Sequence, residues 1–258
     1  MGYTFDWNVV WDNLGLLISG AGTTLYLSAI AIAGALVLGI AVVPLRTAKL
    51  APVRWLAGAY IETFRTVPLL VQLYIVYFAL PELGIRLDST QAGLVSLVLY
   101  SGAYCTEIFR AGIESIPNGQ LLAGQSIGLS RWQIFSKIVL PQAARCVIAP
   151  LGNQFIETVI GSSIISVIGG VELLQQGTQL ESRTYRPFEV FAAVAVIYLV
   201  VSQALVHLFA LLDRLVGVRR RVYHLADGSL DTPTVLLTSP DVPSIRGNGL
   251  EQGGVTDG

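Results

Sequence analysis

EIFRAGIESIPNGQLLAGQSIGLSRWQIFSKIVLP, residues Glu107 to Pro141, is the stretch on which the reading of this chain turns. It lies between long apolar segments, carries Arg110, Arg131 and Lys137, and is too polar to cross a bilayer. Its turn and cap signals are too regular for a slack linker. Pro117, Asn118 and Gly119 form a turn, Asn118 is placed to N-cap a short helix from Gln120, and Gly128 suits a left-handed C-cap. Ser130 followed by Gln133 makes a capping box for the next helix, and Pro141 marks a bend where apolar sequence resumes. Two turns of helix are unstable alone in water. The short helix therefore needs a surface to lie on, and the expected surface is a partner protein beneath the membrane.

Working outward, the chain of 258 residues is 53% hydrophobic and 13% charged, which favours one membrane domain over a pair of soluble ones. Cys105 and Cys146 both sit in apolar sequence and read as core residues, not as a disulfide. No signal peptide is expected, because the first cation is Arg46. Met1 to Gly22, with Trp7 and Trp11, reads either as an interfacial helix or as a loose N-terminal segment. Thr24 to Leu45 is long enough to span, at roughly 20 residues per crossing, and Arg46, Lys49 and Arg54 follow it on the cytoplasmic side. The second crossing, Val67 to Leu80, is interrupted by Pro68 and preceded by Glu62 and Arg65, whose spacing allows an ion pair. Gln91 to Thr106 returns through the membrane, rich in the small residues that let helices approach closely, and ends at a second such pair, Glu107 and Arg110.

Beyond the loop, Ile138 to Ile160 crosses outward, and Val159 to Val171 is short enough to be re-entrant or interfacial. Glu172 to Pro187 belongs outside, and Phe188 to Leu212 is the last crossing. Twelve cations then fall on the inside against three, Arg86, Arg183 and Arg186, on the outside. That asymmetry predicts five crossings with the N-terminus out and the C-terminus in. The expected divisions are an outer segment over 1–22, a transmembrane domain over 23–223 with its loop at 110–141, and a disordered cytoplasmic tail over 224–258.

The order Gly119, Gln120, Ala123, Gly124, Gly128, then Val139, Leu140 and Pro141, resembles the coupling loop of ABC importer permeases. EIFRAGI (Glu107 to Ile113), TVPLLVQLY (Thr66 to Tyr74) and LPQA (Leu140 to Ala143) are similar to the polar amino acid uptake subgroup, and the resemblance extends from Thr23 to Arg214. It departs at Leu122, where the family usually has Glu, at Gly124, where its second Ala usually stands, and at Ile160, where a Lys is usual. The resemblance implies an all-α membrane protein of the type I ABC importer transmembrane fold in a bacterial inner membrane. It also implies three partners: an ATPase subunit that uses ATP and Mg, a second permease in a homodimer or heterodimer, and an extracytoplasmic solute-binding protein. The remaining partners are membrane lipid and an amino-acid substrate, with no nucleic acid.

No catalytic residue, metal site or cofactor is expected in the chain. The only lysines are Lys49 and Lys137, and neither follows a phosphate-binding glycine loop, so ATP chemistry must lie elsewhere. The helix from Gln120 to Ile127 would carry a partner's motion into the membrane. Ala123 and Gly124 are small enough for close seating there, and Leu121, Leu122 and Ile127 supply apolar area. For the substrate pathway the candidates are the polar residues at membrane depth, Gln72, Asn153, Glu157, Ser162 and Ser163. Asn153 and Glu157 share one helix face, and an uncompensated Glu157 favours an ammonium group; pairing with an Arg, or protonation against a neighbouring helix, is the competing account. An ion-coupled secondary transporter or channel using Glu157 is the alternative function, and it leaves the patterned loop without a task.

Overall fold

The computed structural model describes residues 3–215, and among them every regular element is helical. A short turn, α1 (Asn8–Asp12), leads into α2 (Leu14–Arg46), which starts at Leu14 instead of Thr24 and absorbs the second half of the expected interfacial segment. Then come α3 (Ala51–Thr66), α4 (Leu69–Tyr74), α5 (Ser89–Glu114), α6 (Asn118–Ser126), α7 (Arg131–Ile134), α8 (Leu140–Gly161), α9 (Leu173–Thr184) and α10 (Pro187–Leu215). Four stretches are long and apolar enough to cross a membrane: Leu14–Arg46, Ser89–Glu114, Arg131–Ile168 and Pro187–Arg214. A fifth is broken, with α3 and the segment from Leu69 to Leu83 meeting at 111°. The expected tail over 224–258 lies outside the described residues.

The break falls where Pro68 forbids helix. Val67 is extended (φ −79°, ψ 132°), as a residue before proline must be, and the carbonyls left open are taken by the side chain of Gln72. Its Nε2 donates to Phe64 O at 3.0 Å and to Val67 O at 2.7 Å, so a buried amide does the work of a C-cap.

Packing of the rods depends on small residues. A Cβ on Gly39 of α2 would stand 2.8 Å from Cys105 Cβ, and one on Gly102 of α5 would stand 2.8 Å from Leu38 Cδ2, so α2 and α5 touch almost backbone to backbone. Layers of core follow along the bundle. Leu17, Leu173, Leu180 and Val190 close the end that holds α1 and α9, Leu27, Leu97 and Ile165 fill the middle, and Ile116, Ile134 and Val139 close the loop end.

Two expectations for the α8 rod are corrected. Pro141 does not bend the chain: a π-helical turn, Phe135–Val139, joins α7 to α8 and accommodates the missing N–H within one continuous rod. Nor does Val159 to Val171 turn back. The rod tightens into a 3-10 helix, Ser162–Ile168, because the hydroxyls of Ser162, Ser163 and Ser166 bond back to the carbonyls of Val159, Ile160 and Ser163. It stops at Gly169, whose φ of 77° needs no side chain. The cysteines divide: Cys105 is buried, whereas Cys146 is exposed, and both are free.

Candidate functional site

Three features converge on the loop end of the bundle. The first is α6. Its N-cap position is held by extended Pro117, with no side-chain bond, and Gln120 N donates to Pro117 O at 3.0 Å. Asn118 therefore lies inside the helix, because Pro117 supplies the extended geometry that the cap requires. Gly128 takes the left-handed conformation at φ 79°, and Leu129 N returns to Gly124 O at 3.0 Å, which closes the helix as the sequence predicts. The Ser130 capping box is complete, with Ser130 N donating to Gln133 Oε1 at 2.8 Å and Gln133 N donating to Ser130 Oγ at 3.3 Å.

What α6 shows to either side differs from the expected arrangement. Gly124 is buried, and a Cβ there would meet Ile134 Cγ1 and Ile138 Cδ1 at 3.1 Å each, so this glycine seats the helix on its own chain, not on a partner. Leu121 packs inward beside it against the Ile116, Ile134 and Val139 cluster. Gly119, Gln120 and Ala123 stay exposed, as do Leu122 at 61% and Ile127 at 77%. Trp132 on α7, exposed and stacked at 5.9 Å from Phe135, extends this apolar surface; its place two residues after the Ser130 cap was the signal available in sequence. Gln142 Nε2 donates both to Gln120 Oε1 and to Ile138 O, at 2.7 Å each, tying α6 to the base of α8.

A second feature is a group of charges above α6. Arg110 donates from Nη2 to Glu107 at 2.6 Å and from Nη1 to Glu114 at 2.5 Å, the pairing read from the i, i+3 spacing plus one turn more. Arg46 at the end of α2 stands 3.9 Å from Glu107. Glu62 and Arg65 form no ion pair among the described residues. Arg65 instead lies 5.2 Å from the ring centroid of Tyr104, a favourable cation–π contact. A cavity of about 410 Å³ opens here, lined by Arg65, Tyr104, Glu107, Arg110, Cys146 and Pro150.

The third feature is the polar stripe that continues this cavity. Cys146, Pro150, Asn153 and Glu157 recur at helical spacing on α8, and Asn153 and Glu157 are both exposed on the face their spacing predicts. Glu157 makes no ion pair among the described residues, and the Tyr100 and Tyr104 rings on α5 meet at 4.9 Å, inclined by 50°. The other three pathway candidates are placed differently. Gln72 is buried at the break, Ser162 is fully buried, and Ser163 bonds to Ile160 O.

At the opposite end lie two buried carboxylates that sequence reasoning missed. Glu172, fully buried, caps α9 by accepting from Gln175 N at 2.8 Å and also accepts from Tyr198 Oη at 2.7 Å and Thr24 Oγ1 at 3.3 Å. Glu189, equally buried, accepts from Tyr3 Oη and from Asp6 N. Nothing local marks either residue as buried.

Residues 35–218 match the family described as the binding-protein-dependent transport system inner membrane component. The probable glutamine ABC transporter permease protein GlnM of Bacillus subtilis is 43% identical over 195 residues, covering 76% of this chain and 90% of that protein. The glutamine transport system permease protein GlnP of Escherichia coli K12 is 38% identical over 212 residues, covering 81% and 97%. Among solved structures, one described as an amino acid ABC transporter with histidines superposes with a TM-score of 0.79 at 34% identity, over 83% of this chain and all of the other.

Proposed function

Because the chain belongs to the family of binding-protein-dependent transport system inner membrane components, we propose that it carries glutamine or a close polar amino acid across the inner membrane. It is the permease subunit of an amino-acid ABC transporter and not itself an enzyme. ATP and Mg are used by a separate ATPase subunit, a second permease completes the pathway, and a solute-binding protein delivers the substrate from outside. The observation that carries this reading is the construction of α6. It turns Leu122, Ala123 and Ile127 outward while Gly124 and the Gln120–Gln142 bond fix it to the α8 rod. A push on the exposed face then reaches α8 without being absorbed in a loose joint, which is how alternating access is driven from a distance. Leu122 replaces the family's charged contact with an apolar one.

Along the α8 stripe, Glu157 is the group that meets the substrate's ammonium, with Asn153 one turn below it as a hydrogen-bonding neighbour. The cation–π pair of Arg65 and Tyr104 stands further along the same path. Gln72 and Ser162 hold the framework of that path, since the Gln72 amide nitrogen and the Ser162 hydroxyl already bond to backbone.

The test is reconstitution. The permease with its ATPase and glutamine-loaded binding protein in liposomes should take up glutamine only with ATP inside the ATPase-facing compartment. Uptake driven by an ion gradient with the ATPase absent would replace this reading with the ion-coupled transporter. Within an active complex, Glu157→Gln should alter affinity or selectivity among amino acids; unchanged values for both would remove Glu157 from the pathway.

A further inference from the structure

Tyr185 is the only non-glycine residue at positive φ among the described residues, at φ 54° and ψ 36°, where it ends α9. Left-handed backbone is costly for a bulky residue, and helices usually put glycine there. Its N–H bonds to Glu181 O at 2.7 Å, so the stop itself needs only a backbone. The ring meets no such need, for Tyr185 is 81% exposed.

What surrounds it is built tightly. Arg186 donates to Thr4 O and lies 5.6 Å from the Tyr3 ring centroid. Glu189, fully buried one turn into α10, accepts from Tyr3 Oη and from Asp6 N at 2.9 Å. Phe5 packs edge-on against Phe188 at 5.3 Å. Residues 3–6 thus form a strap that locks the corner between α9 and α10. Strained conformations persist where the surroundings over-determine them, and they concentrate at sites of recognition.

We propose that this strapped corner is a docking surface for the solute-binding protein, with Tyr185 as its aromatic anchor and the exposed Arg183, in the last turn of α9, as its cationic neighbour. The inference rests on the reading given under Proposed function. Position supports it: α2 runs about 39 Å at 1.5 Å per residue from its contact with α9 at Gly20 to Arg46 beside Glu107, so the corner lies at the end of the bundle remote from α6. The fit is to a folded protein with an apolar pocket rimmed by carboxylates, since exposed Tyr beside Arg on a rigid platform is the composition of interface hot spots.

Membrane anchoring of the ring at the headgroup layer is the competing use of an exposed Tyr, and the experiment separates the two. The permease–ATPase complex in lipid nanodiscs is titrated with its native solute-binding protein loaded with glutamine, and stimulated ATP hydrolysis is followed. Tyr185→Gly frees the backbone strain while deleting the ring. It should keep basal hydrolysis and an equal or higher thermal midpoint, yet raise the half-saturating concentration of binding protein at least about tenfold. Tyr185→Phe should retain most of the affinity, and Arg183→Glu should weaken it. An unchanged half-saturating concentration in Tyr185→Gly, whether or not the complex is more stable, would reduce Tyr185 to a helix stop or a membrane anchor. Absence of stimulation in the unmodified complex would instead overturn the transport reading, and the docking surface with it.

Discussion

Gln120 and Gln142, 22 positions apart, are joined by a 2.7 Å hydrogen bond that crosses from the loop helix to the first turn of the α8 rod. In the proposed transporter it is the link through which a push on α6 would reach the α8 rod. Gln142→Ala should leave co-purification of the ATPase intact and lower amino-acid uptake per ATP severalfold. In a double-mutant cycle with Gln120→Ala the second change should add little, because both remove one bond. Fully additive losses would mean that the two side chains act separately.

Gly124 invites a graded test. Two isoleucine side-chain atoms stand 3.1 Å from a would-be Cβ, close enough to crowd a methyl but able to shift a few tenths of an ångström. Gly124→Ala also gains about 1 kcal/mol of helix propensity, so transport should stay within about twofold of the parent. Gly124→Leu forces α6 off Ile134 and Ile138, and uptake should fall by more than about tenfold while the membrane rods keep their thermal midpoint.

Glu172 depends on Tyr198 for its strongest side-chain donor. Tyr198→Phe leaves a buried carboxylate short of a partner and should cost about 1–3 kcal/mol, seen as a lower unfolding midpoint in detergent. Thr24→Val removes a donor to the same carboxylate and the acceptor for Leu173 N, and should act in the same direction.

The strap has a predictable response to pH. Bonding to Glu189 favours the neutral phenol of Tyr3 and raises its pKa above the ordinary 10.0. A folded-state pKa above the unfolded one means that this contribution is fully present below about pH 10 and is lost as pH climbs through the raised value. Protein carrying Tyr3→Phe should lack that alkaline loss; identical profiles for the two would show that the bond contributes nothing.

Sequence and structure agree where the determinants are local. Pro68 sets the break, Gly128 the left-handed stop and Ser130 with Gln133 the capping box, each through atoms within a few residues of one another. Glu107 and Arg110 pair as their spacing implies, and Asn153 and Glu157 share an exposed face. Long-range determinants were hidden. Glu172 is buried because Thr24 and Tyr198 reach it from 148 and 26 positions away, and Glu189 because Tyr3 reaches it from 186. The inward face of α6 was equally illegible, since apolar residues lie all round so short a helix and only the packing of Gly124 on Ile134 shows which side is down. A serine in apolar sequence is costly, and the partner that offsets this for Ser162, Val159 O, lies one turn back in its own helix.

The π-helical turn at Phe135–Val139 makes the loop end sensitive to phase. Such a turn holds one residue more than the α-helix would, and each residue rotates a helix by about 100°. Loss of a single codon within it would let the turn relax to ordinary α geometry and leave the phase of α6 about the axis of α8 nearly unchanged, whereas the same loss in the α-helical turns beside it would swing α6 by about 100°. A one-residue deletion is therefore tolerable inside the π-helical turn and should be absent from the α-helical turns that flank it in lineages keeping a working transporter.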